Sequence, residues 1–416
     1  MGGEIQPDRL ATVTRRVWDR LEGAGFRGSD PYDGLNSRLL APLLVRSRLL
    51  RLAVIQAVKR SPVDLRPALR IPPGLNPKGL ALVLQGAAAW PGLGDTADAQ
   101  AWLGDALIGL ASRPDGSPAL PERRPRPGAA AEVACGRLAL PAALGWGYDF
   151  PWQSKAFLQP AFFPTVVATS FALDGLELSG SPAYPAVAAA AGAFVADHLH
   201  RHEDDTGLCF SYSPGDRTRV FNASLFGARI LAQTAAHAPE RADEWRELAG
   251  RAVDWVMARQ AQDGSWIYGE ADHWQWIDNL HTGFNLETIE RIAGLLRTDR
   301  WDDRLREGLA YYRSRLFLED GTPRYYATSL YPLDPHSFAQ GALTFLRLKR
   351  FDPSGPAFAA AILDRAVAEL WDERRGGFRF QKHRYYAQPI IHMRWSQAWL
   401  FRALCAHLAD SDGKAP

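Results

Sequence analysis

The sequence predicts an all-α protein, an (α/α)6 toroid of helical hairpins with a basic helical extension at its N-terminus. Three observations predict it. Val/Ile/Thr alternation, the mark of strands, is scarce along the 416 residues. Apolar residues at helical spacing recur instead, divided by Gly, Pro and Asp turns. From residue 160 onward one form repeats at intervals of about 55 residues: helix, Asp/Gly turn, aromatic residue, polar loop, helix. Paired helices of that length stack into a ring, with one face built from the loops.

In chain order, helices are expected at 8–22, 36–59, 78–89 and 97–113. Residues 113–131, rich in Pro, Gly and Arg, read as an irregular surface loop rather than a linker. Helices then follow at 164–178, 183–200, 221–236, 240–260, 282–296, 301–316, 335–348, 354–371 and 392–409. The intervening turns carry Thr206-Gly207, Asp263-Gly264, Asp320-Gly321 and Arg375-Gly376-Gly377. The expected division is a basic helical segment, 1–75, packed on or extending a toroid domain, 76–416.

Composition narrows the classes. Hydrophobic content of 47% with 23% charged residues is that of a globular protein able to bury a large core. A net charge of +2 makes no case for nucleic acid. Cys135, Cys209 and Cys405 are odd in number and far apart, so no disulfide framework or thiolate metal site is expected. His198, His200 and His202 alternate near a helix end, but nothing nearby completes a metal set. No Walker loop, GxGxxG after a strand or GxSxG occurs, and no cofactor is expected. Without a basic-then-apolar leader or an apolar run of bilayer length, the expected location is cytoplasmic. Residues 38–78 are different: nine basic residues (Arg38, Arg46, Arg48, Arg51, Lys59, Arg60, Arg66, Arg70, Lys78) face one acid, Asp64. Leucines thread between them. The segment reads either as a helix docked with its basic face in solvent or as one that meets anionic membrane or polymer.

Residues 260–287 carry the strongest functional signal. Trp266, Trp274 and Trp276 interleave with Glu270, Asp272, Asp278 and His281 between two helices. Indole faces beside carboxylates and an imidazole suit a sugar, whose apolar ring face stacks while its hydroxyl rim hydrogen-bonds. Three further polar clusters fall in the proposed loops. One is Trp146, Tyr148, Asp149, Trp152 and Gln153; another is Tyr212, Asp216, Arg217, Arg219 and Asn222. The last joins Tyr325, Tyr326, Asp334 and His336 to Tyr385, Tyr386, His392 and Arg394, next to Trp395. Asp149, Asp278, His281, His336 and His392 are the acid–base candidates. Trp146, Tyr148, Trp152, Tyr212, Arg219, Asn222, Trp266, Trp274, Trp276, Tyr326, Tyr386, Arg394 and Trp395 are the substrate-binding candidates. Asp278 and His336 also fit helix caps.

Gln260-x-x-x-Gly264-x-Trp266 resembles, over seven residues, the repeat of squalene–hopene-type cyclases, which are toroids; their Asp-x-Asp-Asp proton donor has no counterpart. A broader resemblance rests on Asn76–Leu80, Trp146–Ser154, Phe221–Leu225, Asp278–Asn285 and Arg394–Trp399. These segments resemble bacterial toroid proteins encoded beside polysaccharide-assembly genes. In style the loops are similar to N-acylglucosamine 2-epimerases and unsaturated glucuronyl hydrolases. The expectation is a carbohydrate-active enzyme of cell-surface polysaccharide metabolism working by acid–base chemistry, epimerase or lyase ahead of hydrolase. Alternatives are a terpenoid cyclase with an aromatic cavity and a non-catalytic glycan-binding scaffold.

Overall fold

A computed structural model describes residues 7–45, 47–153 and 158–413; Arg46 of the basic segment and Ser154 of the 146–154 motif lie outside them. Helix α1 (Pro7–Gly23) is followed by three shorter pieces, α2 (Ala41–Leu44), α3 (Arg48–Arg60) and α4 (Arg66–Leu69). Next come α5 (Pro77–Ala89), α6 (Ala97–Gly109) and a short α7 (Ala129–Ala134). The rest alternates: α8 (Val166–Leu178) and α9 (Tyr184–His198), α10 (Phe221–Thr234) and α11 (Ala242–Met257), α12 (Asn279–Leu296) and α13 (Asp302–Leu316), α14 (Pro335–Arg347) and α15 (Gly355–Leu370), then α16 (Trp399–Ser411).

Among the described residues, six helices form a closed inner ring. Helix α5 packs on α8, α8 on α10, α10 on α12, α12 on α14, α14 on α16, and α16 back on α5. Helices α6, α9, α11, α13 and α15 lie outside, each beside the inner helix that precedes it. The sixth outer place falls to α1, which packs on α16 with Trp18 stacked on Phe401 at 5.7 Å between ring centroids. The architecture is therefore the expected α/α toroid. Inner helices are buried nearly all round: every residue of α10 is buried. Outer helices are amphipathic, as in α11 with Trp245, Leu248, Val253 and Val256 inward and Asp243, Glu244 and Arg246 outward. The repeated turns hold glycines that an L side chain would strain; at Gly264 φ is +87°, and a Cβ would sit 2.4 Å from the Glu307 carbonyl oxygen.

Strand is confined, among the described residues, to four two-stranded antiparallel hairpins, including Trp152–Gln153 with Leu158–Gln159 and Arg201–Asp204 with Gly207–Phe210. The expected helix 36–59 is broken. Ser47 caps α3 by accepting from the Leu50 amide at 3.3 Å, so the chain turns between α2 and α3. Residues 32–71 gather a small apolar cluster of their own (Leu35, Leu44, Val54, Ile55, Val58, Ile71), against which Trp152 packs. The expected helix 392–409 begins as a π-helical stretch, Met393–Ala398, before α16. Among the described residues no helix is long and apolar enough to cross a membrane.

Candidate active site

The inner helices all open toward one end, and their first turns enclose a cavity of about 590 Å³. Lys78 comes from α5, Val167 from α8, Val220 and Asn222 from the start of α10, Asp278 and His281 from α12, Asp334 and His336 from α14, and Arg394 and Trp395 from the π turn. Ring closure therefore assembles residues more than 300 positions apart. It also points six helix N-termini, each carrying partial positive charge, at one space.

Caps set the key side chains. Asp278 is the N-cap of α12: one oxygen accepts the His281 amide at 2.8 Å. Its other oxygen accepts His281 Nδ1–H at 2.7 Å and Trp276 Nε1–H at 3.1 Å. That bond fixes the imidazole with Nε2 as acceptor. Among the described residues Nε2 has no partner, and His281 lines the cavity. Tyr268 holds the group, stacked on Trp276 at 5.0 Å and edge-on to His281 at 4.6 Å. Asp334, the N-cap of α14, is saturated likewise: it accepts from the His336 amide at 2.9 Å, Gln381 at 2.5 Å and Trp395 Nε1 at 3.1 Å. Burial raises its pKa against those donors. His336 lies flat on Trp395, 3.9 Å between centroids, and among the described residues neither ring nitrogen has a partner. Burial, then Lys78 and Arg394, push its pKa well down, so it is neutral.

The floor is basic. Lys78 is 3% exposed, and its amine sits over Phe171, Trp399 and Phe284, 4.3, 5.1 and 5.6 Å from their centroids. It makes no hydrogen bond or ion pair among the described residues. Burial first, then Arg394 and Arg402, push its pKa well down. Arg394 reaches the cavity with its guanidinium held from behind by Asp30, at 2.6 and 2.9 Å. Lys59 meets the Tyr32 hydroxyl at 2.6 Å. Burial lowers the Lys59 pKa, but Tyr32 outweighs it and the net direction is up.

Of the sequence candidates, Asp278, His281, His336, Tyr148, Trp152, Tyr212, Asn222, Trp274, Trp276, Tyr326, Arg394 and Trp395 line this one cavity. The others lie elsewhere. Trp146 and Trp266 are buried core rings whose indoles donate to the Leu107 and Val256 carbonyls. Arg219 pairs with Glu270 at 2.9 Å near the rim, and Tyr386 is half exposed, stacked on His383. Asp149 and His392 sit behind the floor. His392 is buried against Phe380, with Nδ1 3.0 Å from the Ser29 hydroxyl. Asp149 accepts from Asn76 at 2.6 Å; burial raises its pKa to about 7, helped by Asp30 and Asp33. A Cβ on Gly74 would sit 1.8 Å from its carboxylate, so a glycine there admits the group.

Sequence reasoning missed Tyr32, Lys59, Lys78 and Tyr268 as lining residues. Lys78 left a signal: it is the one charge in the apolar run from Leu75 to Ala89, immediately after a helix-starting Asn76-Pro77. Tyr32 and Lys59 left none, because only tertiary packing swings residues 30–60 over the mouth. Among the described residues no cluster of three His, Cys, Asp or Glu side chains forms a metal site.

No family model and no curated protein matches the sequence. Solved structures do match the fold. Cellobiose 2-epimerase from Bacillus thermoamylovorans B4167 is similar at TM-score 0.58 and 10% identity, covering 81% of this chain and 88% of that one. Unsaturated glucuronyl hydrolase from Streptococcus agalactiae matches at TM-score 0.54 and 9% identity over 98% and 92%. The GH76 α-mannanase from Bacteroides thetaiotaomicron matches at 0.52 and 11% over 81% and 87%. At such identities the likeness establishes the α/α toroid.

Proposed function

We propose that this chain is an enzyme that moves a proton on an acidic saccharide, an epimerase or lyase in type rather than a two-carboxylate glycoside hydrolase. One observation carries the reading: both cavity carboxylates, Asp278 and Asp334, are engaged by protein donors, whereas His281 Nε2 at the cavity wall has no partner among the described residues. A hydrolase of the usual kind needs one carboxyl to protonate the leaving oxygen and a second to activate water or attack. A proton-abstracting enzyme needs an oriented base and a cation beside the charge that develops.

In this mechanism the sugar stacks on Trp276 and Trp274, and its carboxylate faces Lys78 and Arg394. His281 Nε2 takes the proton from the carbon next to that carboxylate, while Asp278 holds Nδ1–H and stabilises the imidazolium. The electron pair spreads into the carboxylate, where Arg394, the helix N-termini and Lys78, which gains its proton as the anionic substrate arrives, stabilise it. Return of a proton from water to the opposite face inverts the centre; transfer of the His281 imidazolium proton to the oxygen leaving the neighbouring carbon gives the unsaturated product and an alcohol. His336, neutral and with both ring nitrogens buried, backs the Trp395 ring in the cavity wall. The charges around the aromatic rings speak against a terpenoid cavity, and the oriented dyad speaks against a passive binding scaffold. A role in cell-surface glycan assembly is supported by the resemblance at 76–80, 146–154, 221–225, 278–285 and 394–399.

The test is incubation with uronate-containing glycans in D2O. The expected result is deuterium at the carbon beside the carboxylate, or a new unsaturated uronate, with Lys78→Met raising KM. New reducing ends without deuterium or unsaturation would overturn the reading in favour of hydrolysis.

A further inference from the structure

Large apolar side chains stand in water on one short stretch. Leu39, Leu43, Val45 and Leu49 are 53, 52, 81 and 79% exposed. Leu158, 44% exposed, adds a fifth from the Trp152–Gln159 hairpin, against which α3 packs. The inward side of the same segment is satisfied by Leu35, Leu44, Val54, Ile55 and Val58, so the outward leucines are surplus to its core. Arg38 and Arg48 flank them, exposed and without an ion pair among the described residues. Between Asp33 and Asp64 the sequence has no acid at all. Arg51, by contrast, is fastened, donating to Gln153 and to the Leu44 carbonyl, both at 2.9 Å.

An exposed apolar patch on a soluble ring marks an interaction surface. Apolar side chains projecting between arginines that have no ion pair among the described residues, on a stretch of sequence without an acid, fit a plane that offers both hydrocarbon and negative charge. We propose that residues 38–45 and 47–49, with Leu158, seat the protein on an anionic lipid bilayer. The leucines enter the headgroup–acyl boundary and Arg38 and Arg48 pair with lipid phosphates. The flanking residues Tyr32 and Lys59 reach the cavity wall, and Trp152 of the adjoining hairpin lines the cavity. Seating therefore brings the mouth beside the membrane, where a glycan carried on a lipid would be presented. The proposal stands whether or not the cavity performs proton transfer.

The experiment is co-sedimentation of the full chain with phosphatidylcholine vesicles with and without about one-third phosphatidylglycerol, at low and high salt. Binding is expected on the anionic vesicles alone, weakened by salt. Arg38→Glu/Arg48→Glu should lose most of the low-salt binding. Leu43→Glu/Leu49→Glu should lower the partition coefficient about tenfold or more at both salts, since each leucine gives up its insertion. Both pairs are exposed, so unchanged circular dichroism and melting temperature confirm the fold. Equal binding by wild type and the leucine variant, or no binding by wild type at low salt, overturns the proposal. So does a wild-type dimer in solution that the leucine variant dissolves while neither binds vesicles, because the patch is then a contact between copies.

Discussion

Two acid–histidine sets, alike as candidates in the sequence, have opposite fates in the fold. Asp278 and His281 lie on one helical turn at the cavity edge: the carboxylate is a cap, and the imidazole keeps one nitrogen toward open space. Asp149 and His392 both lie behind the floor, each closed in by its own protein partner. The difference lies in how each residue is attached. A residue at the first turn of an inner helix inherits the direction in which that helix points. A residue on a connecting loop takes whatever depth the loop packs to. Helix-start position is thus a better guide to a site in this ring than the residue types alone.

Exchanging the histidines should break the comparison most visibly. His281→Gln is expected to cut turnover by on the order of 10²–10⁴-fold with an unchanged melting temperature. His392→Leu should do the reverse, costing about 1–3 kcal/mol because the Ser29 hydroxyl is left without its partner. Turnover per folded molecule should survive. Activity and calorimetry on both variants decide it; loss of activity in His392→Leu at full folding would put the rear set into the chemistry.

The next effect is on pH. The buried Asp149 carboxyl holds its proton to about pH 7 in the folded protein, whereas an unfolded aspartate releases it near 3.8. Between those values the folded state binds the extra proton, so stability falls as pH rises. The buried neutral His336 and His392 act in the opposite direction over part of that window, so the readout is the difference between wild type and Asp149→Asn, in which they cancel. That difference should shrink from about pH 4 to pH 7 by on the order of a few kcal/mol. Asp149→Asn keeps an acceptor for Asn76, and Asp33, raised to about 6 by burial, titrates in both proteins. Denaturation curves at a series of pH values measure both slopes.

The smallest effect sharpens the front set alone. Trp276→Phe preserves a ring for stacking and removes the indole N–H that donates to Asp278. A single hydrogen bond to a carboxylate is worth about 1.5–3 kcal/mol, so kcat should fall roughly tenfold or more with KM little moved. A raised KM with constant kcat would show that the indole serves binding rather than the dyad.

The ring was legible because helical spacing and Asp/Gly turns are local signals; Asp278 caps α12 as expected, whereas the cap of α14 is Asp334 and not His336, whose amide donates to it. The cavity's aromatic wall was legible for the same reason: Trp274, Trp276 and Tyr326 fall in loops between readable helices. Depth was not. Trp146 and Trp266 look like Trp276 in sequence, and only packing separates a core ring from a wall ring. Nor was α1 readable as the outer partner of α16, since that pairing depends on closure. Lys78 was read with the basic segment's charges, although it is the first turn of an inner helix that takes its amine out of water.

Closure has a consequence for the newborn chain. Trp18 and its neighbours Leu10, Val13, Val17 and Leu21 are buried in the finished molecule, but Phe401 is made about 380 residues later. At about 5–20 residues per second, the first helix waits roughly 20–80 s on the ribosome with its apolar stripe unmatched. Until the last helix emerges, five hairpins stand as an open crescent with greasy edges at both ends. The ring is thus fastened at its final step by the two ends of its own sequence, and the interval before that is when a holdase has something to grip.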